Sequence, residues 1–172
     1  PCQSSDPVAS LSFLTASTIA VMRSLTTPPY DHEGLVQVLT EAKRIGTIGS
    51  ASCADVIRHS AYFADALPAD VDRVLDLGSG AGVPGLIVAV LRPQLRVTLV
   101  DRRAKCTDAL HRAVSILGLG ERVEVCCDDA EHLSRLPNWH RSFDAVMSRG
   151  FGPPLPTLAL SALFVRFGGV IV

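Results

Sequence analysis

The sequence predicts an α/β fold: a doubly wound, mostly parallel sheet with helices ahead of it. Three observations carry this expectation. From Arg73 onward, short apolar runs alternate with amphipathic stretches of helical length, the pattern of parallel βαβ units. The first run, Val74 to Leu77, passes directly into a glycine-rich turn that ends at Gly85. The second run closes on an acidic residue, Asp101, about twenty residues beyond that turn, as in Rossmann-like nucleotide folds.

Taken in order, residues before about Thr27 read as a first helix, with Leu11, Leu14, Thr15, Thr18 and Ala20 to Met22 forming a loose apolar face. Pro28 and Pro29 interrupt it. A second helix starts near Asp31 or His32, spaces Leu35, Val36, Leu39 and Ala42 at helical intervals, and ends on Lys43 and Arg44, whose charge suits a helix C-terminus. Ile45 to Ser52 reads as a loop and Ala54 to Leu67 as a third helix. Residues 1–70 are therefore expected to form a helical cap belonging to the same unit as a sheet domain over 71–172. In that domain strands are expected at Val74–Leu77, Val97–Val100, Val123–Cys127 and Phe143–Met147, with a fifth beginning at Val170 after a Gly168-Gly169 turn. The intervening helices fall at Pro84–Leu91, Lys105–Leu117 and Leu158–Val165.

A length of 172 residues suffices for one domain with a core. With 48% hydrophobic and 19% charged residues, the composition excludes disorder and fibrous rods and points to a soluble globular chain. The net charge of −1 gives no overall basic field. It is nevertheless uneven: through Asp70 four Lys/Arg face seven Asp/Glu, a net −3, whereas the remainder nets +2, so any basic face belongs to the second part. The five cysteines, Cys2, Cys53, Cys106, Cys126 and Cys127, form no C-x-x-C pair and read as reduced thiols. Leu11 to Met22 is too short to span a bilayer and lacks a basic segment before it, which points to no membrane partner and to the cytoplasm. The chain starts with Pro1 rather than Met, so its native N-terminus was processed, trimmed or lies outside this sequence.

The run Val74-Leu75-Asp76-Leu77-Gly78-Ser79-Gly80-Ala81-Gly82-Val83-Pro84-Gly85 is where ligand chemistry concentrates. Glycines let a ligand approach the main chain, and the following helix start offers unpaired N–H groups. Pro84 suits a first helical turn, where its missing N–H costs nothing. Gly80 to Gly85 satisfies G-x-G-x-x-G, so a nicotinamide dinucleotide is admissible. Asp76, two residues before Gly78, extends the pattern to D-x-G-x-G-x-G and favours S-adenosylmethionine (SAM), whose amino group a carboxylate can serve directly or through water. Gly78, Gly80 and Gly82 are the candidate cofactor glycines. Asp101 is placed to accept both ribose hydroxyls of either cofactor. Asp128-Asp129-Ala130-Glu131, after the third strand, sits where an adenine needs an acceptor, though these acids read equally as solvated loop carboxylates. Met147-Ser148-Arg149-Gly150-Phe151 sets a cation and an aromatic beside the same crevice; on residue type alone Arg149 reads first as a surface arginine and Phe151 as a packing residue.

Leu77 to Gly85, Leu99-Val100-Asp101 with Lys105, and Ser148-Arg149-Gly150-Phe151 together resemble the GidB or RsmG family, class I SAM-dependent methyltransferases acting on guanine N7 of bacterial small-subunit (16S) rRNA. Arg58-His59 is similar to that family's Arg-His pair. The resemblance covers roughly Ala54 to Val172 and is most specific at the glycine turn with its Pro-Gly ending. It implies SAM as cofactor, held by Gly78, Val83, Ala130, Glu131 and Arg149 with Asp101 on the ribose, and rRNA or the small ribosomal subunit as partner. The chain departs from the family at Ile45 to Gly49, where a Trp and Asn-rich segment is usual, and at Asp129, where Arg is common.

That resemblance also implies a reaction. Guanine N7 carries an unprotonated lone pair, so transfer needs in-line positioning and water exclusion rather than a general base. Arg149 is expected to position SAM or the acceptor and Phe151 to stack on a splayed base. Arg58 and His59 are further substrate candidates, although His59 reads first as a packing or capping residue. His111 and His132 with Asp108 and Glu131 do not have metal-ligand spacing, so no metal is expected. Arg92, Arg96, Arg102, Arg103, Lys105 and Arg112 form the densest basic stretch, suited either to phosphates or to solvent. Other functions remain open at this point: a methyltransferase of small molecules or proteins, a nicotinamide-dependent oxidoreductase, or a SAM-binding module without catalysis. A class I sheet ordinarily adds two strands beyond the fifth, so the expectation is that the C-terminal strands are missing from this sequence or that a partner covers the edge. Oligomeric state is not legible.

Overall fold

A computed structural model describes residues 32–172; the first helix expected before Thr27 and the position of Cys2 lie outside the described residues. Two helices, α1 (Glu33–Arg44) and α2 (Cys53–Ala66), precede β1 (Arg73–Leu77). Then follow α3 (Gly85–Leu91), β2 (Arg96–Val100), α4 (Ala104–Ile116), β3 (Val123–Cys126), α5 (Ala130–Leu133), β4 (Phe143–Ser148), α6 (Pro154–Phe164) and β5 (Val165–Ile171).

Local chemistry explains where the first helices start. The His32 ring nitrogen Nδ1 accepts the Leu35 N–H at 3.3 Å, and the Ser52 hydroxyl accepts the Asp55 N–H at 3.0 Å, each satisfying a donor that the helix start leaves unpaired. Glu33 sits in the first turn of α1 and Lys43 and Arg44 in its last, in the sense the helix dipole favours. Arg92 then ties α2 down from α3: its guanidinium donates to the carbonyls of Ala64, Leu67 and Pro68 at 2.9–3.1 Å.

The strands form one parallel sheet in the order β3-β2-β1-β4-β5. Both faces are covered, which is why the strands read as near-continuous apolar runs. On one face Val74, Val97, Leu99, Ala145 and Met147 pack with Leu86 and Ala89 of α3 and with Leu110 and Ala113 of α4. On the other, Leu75, Leu77, Val100 and Val146 pack with Ala130 and Leu133 of α5 and with Phe164 of α6. Helix α1 and α2 close over α3 through Leu35, Leu39, Val56, Ile57, Val83 and Ile87. Chain order reverses between β1 and β4, and a ligand crevice opens at the carboxyl ends of the strands flanking such a point.

Three details differ from the sequence reading. Helix α6 starts at Pro154 rather than near Leu158; prolines in a first turn cost no hydrogen bond, because those N–H groups have no intrahelical partner. Strand β5 starts at Val165, directly after α6. Phe143 faces Val165 while Ala145 faces Val170, so the Gly168-Gly169 pair makes an irregularity within the strand instead of a turn before it. The short helix α5 was not anticipated; Asp129 caps it by accepting the Glu131 N–H at 2.8 Å.

Candidate functional site

The glycine turn leaves β1 at its carboxyl end. Ser79 fixes its start: its N–H donates to the Val100 carbonyl of β2 and its hydroxyl to the Asp76 carbonyl, both at 2.9 Å. Gly78 has φ +69°, and a Cβ there would stand 2.6 Å from the Phe151 ring, so backbone conformation and space both exclude a side chain. Pro84 caps α3 rather than forming its first helical residue. Gly85 begins α3 against the sheet, where a Cβ would collide with Leu99 and with the Asp76 carboxyl.

Asp76 is 0% exposed. Its Oδ2 accepts the Gly85 N–H at 3.1 Å and its Oδ1 has no hydrogen-bond partner. Burial pushes its pKa up to about 7, against the opposing effects of the nearby Ser79 hydroxyl and the Gly85 N–H and with a smaller addition from the charge of Asp101. The carboxyl is thus buried beside the start of α3, with one oxygen on the Gly85 N–H and the other left without a partner.

Asp101 stands at the end of β2 with 3% exposure. Oδ2 accepts the Gly80 N–H at 2.9 Å and Oδ1 the Arg103 N–H at 2.9 Å, while the Arg103 guanidinium grips both oxygens through Nε and Nη2 at 3.0 Å. Burial alone would raise the pKa of Asp101, but these charge-assisted bonds outweigh it and hold the carboxyl below the usual range.

A cavity of about 360 Å³ opens in front of these groups, lined by Gly78, Val100, Asp101, Arg102, Arg103, Asp128, Asp129, Ala130, Glu131, Gly150 and Phe151. Of the candidate residues it unites Gly78, Asp101, Asp129, Ala130, Glu131 and Phe151. Arg149 is exposed at the end of β4, next to the lining residue Gly150. Asp128, in the lining, is held by His132, whose Nδ1 lies 3.0 Å from both carboxylate oxygens; this contact, with the Asp129 N–H, holds its pKa below the usual carboxylate range.

Other candidates lie elsewhere. Val83 is turned into the apolar cluster with Leu35, Leu39, Val56 and Ile57, because its side chain has no polar group to keep it at the crevice. Gly80 reaches the site only through its N–H to Asp101, and Gly82 packs where a Cβ would meet Leu86 and Leu110. Arg58 and His59 are exposed on α2 and outside the cavity lining, with Arg58 paired to Asp55 at 2.6 Å. The basic stretch is dispersed: Arg102 and Arg103 face the cavity, Lys105 donates to the Ile45 carbonyl, and Arg96 opens the other end of β2. Sequence reasoning did not single out Arg103 as the partner of Asp101, although the Asp-x-Arg spacing at a strand-to-helix junction was the available signal. Among the described residues no group of three His, Cys, Asp or Glu could hold a metal, and no helix is long and apolar enough to cross a membrane.

The chain is similar in sequence and in fold to known proteins. The ribosomal RNA small subunit methyltransferase G of Moorella thermoacetica is 41% identical over 101 residues, 58% of this chain and 41% of that protein. Its counterpart from Dictyoglomus thermophilum is 30% identical over 125 residues, 73% of this chain and 48% of that protein. The chain thus matches less than half the length of either relative. A solved SAM-dependent methyltransferase from Thiobacillus denitrificans, in complex with S-adenosyl-L-homocysteine, superposes with a TM-score of 0.55 over 78% of this chain and 53% of that one, at 21% identity, and shows the shared fold. The family model for GidB, rRNA small subunit methyltransferase G, matches residues 36–172, and the chain belongs to that family.

Proposed function

We propose that this chain carries the cofactor site of a SAM-dependent methyltransferase that modifies small-subunit ribosomal RNA, with guanine N7 as the acceptor. The observation that carries the reading is the cavity at the carboxyl end of the sheet, which Gly78 and Asp101 line together. Its volume of about 360 Å³ falls within the roughly 300–1,000 Å³ of ligand sites.

The residues present fit SAM. Asp101 offers two acceptors to a ribose hydroxyl pair, Gly78 admits close approach to the main chain, and the segment Asp129-Ala130-Glu131 supplies carboxylate oxygens for an adenine amino group. Asp76, buried with one oxygen unpartnered, is the group for the methionine amino end, directly or through water. When bound, SAM supplies an electrophilic methyl group on a sulfonium centre. The chain's own residues then need only orient and shield: Arg149 positions the acceptor at the end of β4, and the face of Phe151 stacks on a base taken out of the RNA. No side chain has to remove a proton, because guanine N7 has none.

Helices α1 and α2 act as a cap on the sheet domain, ribosomal RNA or the small subunit is the macromolecular partner, and the cytoplasm is the compartment that suits it. The literal G-x-G-x-x-G of Gly80 to Gly85 leaves a nicotinamide enzyme as a second reading; membership of the GidB family weighs against it. Radiolabelled methyl transfer from SAM to small subunits, protein-free 16S rRNA and small-molecule acceptors tests the reading. Label recovered as 7-methylguanosine in rRNA is expected; label confined to small acceptors, or to another position, would overturn the substrate assignment.

A further inference from the structure

The hydrogen bonds of Asp101 form a symmetrical set. A carboxylate oxygen offers about two lone-pair sites. On each oxygen one site is taken by a backbone N–H, of Arg103 on Oδ1 and of Gly80 on Oδ2, and the other by the Arg103 guanidinium. A ribose hydroxyl pair presents two donors in the same forked arrangement and would need the same two remaining sites. Arg103 and the ribose therefore cannot both be fully satisfied by Asp101.

Surroundings determine which partner can leave. Asp101 is 3% exposed and anchored by backbone groups, whereas the Arg103 side chain is 61% exposed. The guanidinium can swing out without disturbing the core. Once it does, it is a cation without its counter-charge, at the start of α4 where the helix dipole is positive, flanked by Arg102 and Lys105. Across the cavity Asp128 is engaged by His132, and Asp129 by the cap of α5. A guanidinium displaced to the cavity mouth is thus suited to bidentate pairing with an external phosphate.

We propose that Arg103 competes with the cofactor's ribose for Asp101, and that cofactor binding releases the guanidinium to a phosphate of the RNA. The inference rests on the SAM reading given above. It makes cofactor and RNA binding mutually reinforcing, since a coupling free energy between two ligands is reciprocal. It also gives Arg103 a role distinct from that of a direct cofactor contact, because its removal should tighten cofactor binding instead of weakening it.

The test combines calorimetry of S-adenosylhomocysteine with fluorescence anisotropy of a labelled 16S rRNA stem-loop, for the wild type, Arg103→Ala and Arg103→Gln. In the wild type, saturating S-adenosylhomocysteine should strengthen RNA binding by about fivefold or more, the lower end of ordinary coupling. Arg103→Ala should bind S-adenosylhomocysteine several-fold more tightly and lose the effect on RNA. Arg103→Gln, which keeps the length and removes the charge, should move both quantities in the same direction. Weaker S-adenosylhomocysteine binding by both variants, or wild-type RNA affinity indifferent to it, would overturn the proposal and leave the SAM reading intact. A wild type that takes up no S-adenosylhomocysteine would overturn both.

Discussion

The Phe151 ring lies against Gly78 so closely that a single added methyl group would stand 2.6 Å from its Cδ2 atom. This contact joins the loop after β4 to the turn after β1, the two strands between which chain order reverses. Phe151 therefore shapes one wall of the cavity, and the missing side chain of Gly78 makes room for it.

Gly78→Ala should destabilise the chain twice over. The φ of +69° costs a non-glycine residue about 1–2 kcal/mol, and crowding against the ring adds about 1–3 kcal/mol. Phe151→Ala removes only the second cost. Denaturant unfolding of the two single variants and the double variant should give a favourable coupling of about 1 kcal/mol or more; strict additivity would show that the ring does not respond to Gly78.

Gly85→Ala tests packing alone, since this residue is not in the left-handed region. Its Cβ would collide with Leu99 and the Asp76 carboxyl, so a loss of about 1–3 kcal/mol is expected in thermal or denaturant unfolding. An unchanged midpoint would mean that α3 does not sit as close to β1 as described.

Asp76 should leave a signature in the pH dependence of stability. Its folded pKa of about 7 lies above the ordinary value of 3.8, so between these values the native state holds a proton that the unfolded chain has released. The stabilising contribution is fully present below pH 3.8 and is lost as pH rises through about 7, by at most about 4 kcal/mol at 1.36 kcal/mol per unit. Asp101 and Asp144, held below the usual range, act in the opposite sense at more acidic pH. Asp76→Asn should flatten the fall in unfolding midpoint between pH 5 and pH 8; a variant as pH-sensitive as the wild type would remove Asp76 as its source.

Arg149→Ala should reduce methyl transfer at least tenfold, the loss of about 1.4 kcal/mol or more of transition-state stabilisation. Initial rates with radiolabelled SAM and rRNA measure it. Undiminished rates would strip Arg149 of the positioning role.

The parts of this architecture legible in the sequence were those with a local cause. Val74 to Gly85 announces a strand, a turn and a helix because an apolar run suits a buried strand, glycines reach the positive φ a tight turn needs, and Pro84 suits a helix start, and Asp101 follows from its place at a strand end. Long-range facts were hidden. Nothing in residue type tells that Val83 turns into the cluster with Leu35 and Val56 rather than toward the crevice, or that the Asp76 carboxyl takes the Gly85 N–H. The start of α6 at Pro154 is hidden because Pro153, Pro154 and Pro156 do not announce a helix by type, although a first turn accepts them. Gly168-Gly169 looked like a turn because an irregularity inside a strand uses the same residues. Residue type presents Arg103 as one charge in a basic stretch, and only the geometry shows that it grips Asp101 with both arms of its fork.

The central claim is that the crevice beside Gly78 and Asp101 binds SAM, and calorimetric titration of the chain with S-adenosylhomocysteine, in parallel with NAD, tests it most directly. One equivalent of S-adenosylhomocysteine should bind, NAD should not, and Asp101→Ala should weaken the binding about tenfold or more, as expected for losing hydrogen bonds to a charged acceptor. Binding of NAD in its place, or S-adenosylhomocysteine affinity indifferent to Asp101→Ala, would contradict the account.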